Sequence, residues 1–173
     1  MAALYESVLG SDFGRLLPLL QRLHRNHDLL WQGEADIQWG HHPLLRALLK
    51  LGGLPREGRG VPCSVRLSAD GTRECWQRNF AGRAMVSWQH ADQAMLFESF
   101  GPFRLRLTNR LVSGRLVQRS VATRFLGLPL PKRFGLRVRA HEQVRDGQMR
   151  FDVSIGLACG LRLIRYRGWL VAQ

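Results

Sequence analysis

Phe103-Arg104-Leu105-Arg106-Leu107 alternates apolar and cationic side chains at a period of two. A strand with that period sends its apolar side chains to one face of a sheet and its guanidinium groups to the other. This stretch predicts a wall that is apolar within and cationic without. The charge distribution extends the theme: residues 101 to 173 carry fifteen Lys and Arg against three Asp and Glu, whereas residues 1 to 100 carry eleven against ten. Nearly all of the formal net charge of +13 therefore belongs to the second part of the chain.

Similar runs recur at hairpin spacing on both sides. Val61, Cys63, Val65 and Leu67 alternate with polar residues up to Ala69-Asp70-Gly71-Thr72, a hairpin turn signal, and the return strand brings Trp76 and Phe80. Gly82, the segment Ala91 to Gln93, Gly101-Pro102, Ser113-Gly114, the Pro-rich break from Leu126 to Lys132, and Asp146-Gly147 divide the remainder. The divisions predict strands near 61–69, 72–80, 83–90, 93–99, 103–112, 115–125, 135–145, 148–157 and 162–171, with one more at 31–39, about ten in all. Turns this short join antiparallel neighbours, because a parallel pair needs a crossover of about a dozen residues. A meander of that size curls, and closure removes its exposed edges.

Helical spacing is confined to the first part of the chain. Leu4, Val8, then Leu16, Leu17, Leu19, Leu20 and Leu23 predict an amphipathic helical region broken near Gly10 and restarted with Ser11 or Asp12 as N-cap. Pro43-Leu44-Leu45-Arg46-Ala47-Leu48-Leu49-Lys50-Leu51 predicts a second helix, with Pro in its first turn and Gly52-Gly53 as its stop. The expected fold class is mainly β (α+β): one domain over 1–173, with a helix-strand-helix cap over 1–55. An antiparallel β meander over 61–171 forms a curved sheet or small barrel of the lipocalin or fatty-acid-binding-like kind. The rival is a START-like helix-grip, which needs a long C-terminal helix where Phe151 to Val171 reads as two strands.

Composition bounds the function classes. A chain of 173 residues can bury a real core without staples. Of its 26 basic residues only Lys50 and Lys132 are Lys, a bias that GC-rich coding explains as readily as guanidinium chemistry. Cys63, Cys75 and Cys159 are an odd number without CxxC spacing, so buried free thiols are expected rather than a disulfide framework or a zinc knuckle. With Glu6 near the start, no basic region followed by an apolar run and no apolar stretch of about 18 residues, neither a leader nor a span is expected. The expected location is cytoplasmic, with any membrane contact peripheral.

Leu4-Tyr5 through Val8-Leu9-Gly10, Trp31-Gln32-Gly33-Glu34-Ala35, Gly52-Gly53-Leu54-Pro55 and Val61-Pro62 form one part of a pattern. Trp76-Gln77-Arg78-Asn79-Phe80, Gly101-Pro102-Phe103, Leu126-Gly127-Leu128-Pro129-Leu130-Pro131 and Tyr166-Arg167-Gly168-Trp169-Leu170 complete it. Together they resemble a bacterial domain family of unknown function across essentially the whole chain. Members of that family often follow a saccharopine-dehydrogenase-like NAD(P)-binding domain, and others stand alone. The resemblance implies a self-contained module working beside an NAD(P)-dependent reductase or in a membrane-lipid context, and it carries no catalytic residues. The chain has no Gly-rich dinucleotide fingerprint of its own, so no cofactor is expected.

Candidate chemistry is then a matter of single residues. Glu98 shares an alternation with Leu96 and Phe100, and a carboxylate on an apolar face must be paired or shifted in pKa. Arg106, Arg165 or Arg167 is its expected partner, either as a buried structural pair or to orient a ligand's polar head. His90 follows Ala84, Val86 and Trp88 on one face and is expected to point inward, as a hydrogen-bonded core or rim histidine or as a general base. His24, His27, His41 and His42 lack zincin-like spacing, so solvated or capping histidines are expected and no metal. Glu34 and Asp36 share a face and are expected to be exposed on an edge strand rather than to form an acid/base pair.

FLGLPLPKRF, residues 125–134, is either a packed wide loop or a greasy lip flanked by cations. Tyr166-Arg167-Gly168-Trp169 is either a plug of the barrel or a ligand-contacting end.

The expected function is a binding module for an apolar or amphipathic lipid-like small molecule held in the concavity. Trp88, Glu98, Phe103, Leu105, Arg106, Leu107, Tyr166 and Trp169 are its contacts, with Phe151, Val153 and Ile155 lining the wall. The first alternative is a small isomerase, cyclase or reductase partner using Glu98 or His90; enzyme activity is the lesser expectation. The second is a cationic module for an anionic membrane surface or partner. Nucleic acid is disfavoured: a pI near 11.4 is its footprint, but no recognition signature accompanies it.

Overall fold

The computed structural model describes residues 3–25, 27 and 29–173. Among the described residues eleven strands form, ten of them around a barrel, interrupted by one α-helix and a 3-10 turn at Lys132–Phe134. They are β1 (Leu30–Trp39), β2 (Gly58–Asp70), β3 (Arg73–Phe80), β4 (Arg83–Asp92), β5 (Met95–Phe100), β6 (Phe103–Val112), β7 (Arg115–Phe125), β8 (Leu128–Pro129), β9 (Leu136–Arg145), β10 (Gln148–Leu157) and β11 (Arg162–Ala172). Helices α1 (Leu4–Leu9) and α2 (Pro18–Arg25), joined by a 3-10 segment (Gly10–Arg15), precede β1, and α3 (Pro43–Leu51) lies between β1 and β2.

Hydrogen-bonded order runs β6-β5-β4-β3-β2-β1-β11-β10-β9-β7, and β7 pairs with β6, so ten antiparallel strands close on themselves. The two-residue β8 is an extra, folded back on Arg124 and Phe125 of β7. The architecture is the expected lipocalin or fatty-acid-binding-like barrel with N-terminal helices. Both Gln148–Leu157 and Arg162–Ala172 are strands, which removes the helix-grip alternative. Because β1 pairs with both β2 and β11, it is an interior strand and not the expected edge.

Local chemistry explains the connections. At Ser113-Gly114 and Asp146-Gly147 both central residues have positive φ, the two-residue turn geometry whose twist matches that of the flanking strands. Curvature is built at glycine: a Cβ on Gly168 would lie 2.0 Å from the Glu34 carbonyl oxygen, and one on Gly33 1.9 Å from that of Trp169. Strands β1 and β11 approach this closely only because neither position carries a side chain. A register shift where Arg106 and Leu107 of β6 meet Ala122 and Ser120 of β7 adds a further bend. In the helical region the restart differs from expectation. Gly10–Arg15 is a 3-10 turn, and α2 begins at Pro18, whose fixed φ suits a first helical position.

Strand directions give the barrel two distinct ends. The hairpins at 71–72, 93–94, 113–114 and 146–147 surround the end covered by α1 and α2; α1 packs on β4 and β6, α2 on β9 and β10. The turns at 81–82, 101–102, 126–135 and 158–161 surround the other end, beside α3. Tyr5, Leu20, Leu23 and His24 are buried and plug the first end, which is the floor. Leu67, Leu96, Leu107 and Leu116 pack beside them as core, while Tyr5, Leu23 and Leu170 also face the space above.

Candidate functional site

Between floor and α3 the barrel encloses a cavity of about 860 Å3, within the range of small-molecule sites. Its wall follows from alternation. Phe103 and Leu105 of β6, Val138 and Ala140 of β9, Phe151, Val153 and Ile155 of β10, and Tyr166 of β11 all point in. Leu45, Leu48, Leu49 and Leu54, on and after α3, line the mouth.

Two polar groups interrupt this wall, the first midway between the ends. Arg78 on β3 donates to Ser87 Oγ on β4 at 2.8 Å and to Glu98 Oε1 on β5 at 3.3 Å, and Ser87 Oγ donates to the same Glu98 oxygen at 2.6 Å. The two charged side chains are each about 15 % exposed. Burial alone would lower the pKa of Arg78; the carboxylate of Glu98 is the leading influence that instead raises it, so the cation persists. Its guanidinium sits 4.9 Å from the Trp76 ring centroid, and the Trp76 indole N–H is buried without a hydrogen-bond partner. The indole N–H is thus an unused hydrogen-bond donor beside a cation in a largely apolar chamber.

A second network closes the chamber below. Gln118 donates to the Tyr5 hydroxyl at 2.8 Å, and that hydroxyl donates to Gln89 at 3.2 Å. Tyr5 stacks on His24 with centroids 3.8 Å apart, and His24 Nε2 lies 2.8 Å from Glu142 Oε2. Burial, with Glu142 and Glu74 adding to it, holds the Tyr5 phenol well above its ordinary pKa, and burial pushes Tyr166 up to about 12. Both phenols are therefore neutral donors at neutral pH. Cys63, on the cavity wall, is pushed up to about 12 by burial and is an inert thiol there.

The structure sorts the expected contacts into three groups. Glu98, Phe103, Leu105 and Tyr166 line the cavity, and Leu107 belongs to the solid core near the floor. Trp88, Arg106 and Trp169 lie on the outer surface, and so does His90, stacked on Phe97 at 5.1 Å. The inner face of β4 is Met85, Ser87 and Gln89, so the expected inward parity of Val86, Trp88 and His90 is reversed. Placing Trp88 and His90 inward followed the more apolar face, but in β4 the polar face turns in, because Ser87 and Gln89 satisfy Glu98 and Tyr5.

The expected partners of Glu98 are corrected too. Arg165 pairs with Asp152 on the outside, and Arg167 lies 3.9 Å from Asp36. Arg78 is absent from the candidate residues the sequence singles out, although it stands two positions from both Trp76 and Phe80 in one strand and so shares their face. His24 is not a solvated or capping residue but a fully buried one. His27 lies 3.3 Å from Glu74, and His41 and His42 are exposed. Among the described residues no three His, Cys, Asp or Glu side chains gather as metal ligands. Cys63 and Cys75 are buried free thiols, and Cys159 is exposed. Residues 125–134 form a lip at the mouth, with Leu126, Leu128 and Phe134 exposed. Among the described residues no helix is long and apolar enough to cross a membrane.

A family profile described as "Domain of unknown function (DUF4166)" matches residues 16–170. No curated protein matches the chain.

Proposed function

Because the chain belongs to the DUF4166 family, a domain whose function is unknown, its role is argued from the barrel, and we propose that it is a binding module for an amphipathic, lipid-like small molecule. The observation that carries this reading is a cavity of about 860 Å3 with a largely apolar wall, a polar floor at Gln89, Gln118 and Glu142, and a polar cluster midway, Arg78-Ser87-Glu98, beside the unpartnered Trp76 N–H. An apolar body would fill the upper barrel, and its polar end would meet the cluster. Arg78 and Glu98 offset one another, so the chamber favours an uncharged head such as a hydroxyl, carbonyl or ester over a bare anion or cation.

Extraction of the purified protein under denaturing conditions, followed by lipid and small-molecule mass spectrometry, tests this. Ala140 points into the cavity from β9, so Ala140→Trp supplies the control in which the chamber is obstructed. A co-purifying amphiphile that disappears in Ala140→Trp is the expected result. A clean extract from folded wild-type protein, together with no saturable uptake of fluorescent fatty alcohols or esters, would overturn the reading.

Catalysis on such a ligand is the second reading, favoured by one observation: the Glu98 carboxylate reaches the cavity wall. Its two hydrogen-bond donors, Ser87 and Arg78, suit a positioning role better than proton transfer.

A further inference from the structure

The two ends of the barrel differ in kind. Around the floor, carboxylates accompany most of the cations: Asp146 lies within 3.7 Å of both Arg145 and Arg150, Asp12 holds Arg15, and Glu6 holds Arg25, with Arg73 and Arg115 left unpaired among the described residues. Around the mouth, the turns at 81–82, 101–102, 126–135 and 158–161 contain no Asp or Glu, and Glu57, on the connection from α3 to β2, is paired with Arg46. Lys132 and Arg133 stand there exposed, with no ion-pair partner among the described residues. Arg104 and Arg124 face each other directly across β6 and β7, likewise exposed and unpaired among the described residues. Like charges opposed on a sheet are unfavourable, as they also are at Arg119 and Arg139, and a nearby anion relieves that repulsion.

Apolar side chains are concentrated at the same end. Leu48 and Leu51 of α3 and Leu126, Leu128 and Phe134 of the lip are all more than half exposed, Leu51 at 85 %. Leu126 also occupies a position with φ of 49°, in a turn where the equivalent residues elsewhere are Ala81, Gln93, Ser113 and Asp146. A leucine is a poor choice for that backbone conformation, and the tight turn holds it out at the tip. Apolar tips ringed by unpaired cations match the boundary between lipid headgroups and acyl chains.

We infer that the mouth of the barrel docks on the surface of an anionic lipid bilayer, with Leu126, Leu128, Phe134 and the exposed face of α3 inserted and Lys132, Arg133, Arg104 and Arg124 against the headgroups. The cavity then opens directly onto the membrane. That a ligand passes between bilayer and barrel rests on the function proposed above; the docking itself does not.

Vesicle flotation tests the docking, using phosphatidylcholine vesicles with and without phosphatidylglycerol. The protein is expected to float only with the anionic vesicles. Lys132→Glu with Arg133→Glu should lower the partition coefficient by about 30-fold or more, from roughly fivefold per cation removed. Leu126→Ser with Leu128→Ser should produce a loss of similar size. Arg73→Glu with Arg115→Glu, the same change in net charge made at the floor end, should matter several-fold less.

Equal losses from both charge reversals, or no flotation with anionic vesicles, would overturn the proposal. A dimer in sedimentation velocity that dissociates in the mouth variants would overturn it as well, by making a second copy the occupant. Flotation reads the surface with or without a bound ligand, so failure here and failure of the proposed binding function are separate results.

Discussion

Arg78 and Glu98 sit on strands that are not neighbours, β3 and β5, and meet at 3.3 Å over the inner face of β4, where Ser87 bonds to both. Removing either charge leaves the other half of a largely buried pair. Glu98→Ala or Arg78→Ala is expected to destabilise the fold by about 2 to 4 kcal/mol, below the full cost of a dry pair because both side chains retain some exposure. The double variant Arg78→Met with Glu98→Leu should recover most of that stability yet fail to hold the ligand. Urea denaturation of the four proteins, paired with mass spectrometry of bound material, checks both halves; a double variant that binds normally would reduce the cluster to a structural pair.

Hollow and solid parts of the interior should respond oppositely to volume. Leu96 is fully buried in the packed region near the floor, and Leu96→Ala is expected to cost about 2 to 5 kcal/mol. Ala140 faces the cavity, so Ala140→Trp should change stability by less than about 1 kcal/mol, because no neighbours must be displaced. Thermal melts of the two variants separate the cases. A strongly destabilised Ala140→Trp would mean that the chamber collapses when unfilled.

Barrel closure depends on Gly168. The Cβ of an alanine there would meet the Glu34 carbonyl oxygen at 2.0 Å, and because that neighbour is backbone, strands β1 and β11 must part to admit it. Gly168→Val is expected to destabilise by more than about 4 kcal/mol, among the largest single-site effects. Loss of the cooperative melt in circular dichroism is the readout; near-normal stability of the Gly168→Val variant would show that the β1 and β11 pairing is less tight than described.

Alkaline pH should weaken the fold through its buried phenols. Tyr166 titrates at about 12 in the folded protein because of burial, with Glu98 and Glu142 adding to the shift and Arg78 opposing it; an unfolded tyrosine titrates near 10. Between these values the folded chain binds more protons than the unfolded one, so stability falls as pH rises. The contribution is complete below about pH 10 and is lost toward pH 12, about 2 to 3 kcal/mol in total. Tyr5, also raised by burial, acts in the same direction. Urea midpoints for wild type and Tyr166→Phe between about pH 9 and 11 should diverge, with the shallower pH dependence in the variant.

Strand positions and their order were legible in the chain alone, because alternation and turn chemistry are local. Val61 to Leu67, Phe103 to Leu107 and the Gly-bearing turns set strand ends to within a few residues, and turns too short for crossovers made the sheet antiparallel. Legible too was the shared inner face of Glu98, Leu105 and Phe103, since in β5 and β6 the apolar and polar sides differ plainly. The rest came from how the walls assemble. In β4 the inner face is the polar one, so a periodicity read by hydrophobicity points the wrong way at the place where Ser87 and Gln89 serve partners from other strands. That Glu98 meets Arg78 twenty residues earlier, that His24 finds Glu142, and that the interior is hollow beside Leu105 but packed around Leu96 and Leu107 are facts of closure. Each depends on which strands become opposite walls, and alternation carries no information about what lies across a barrel.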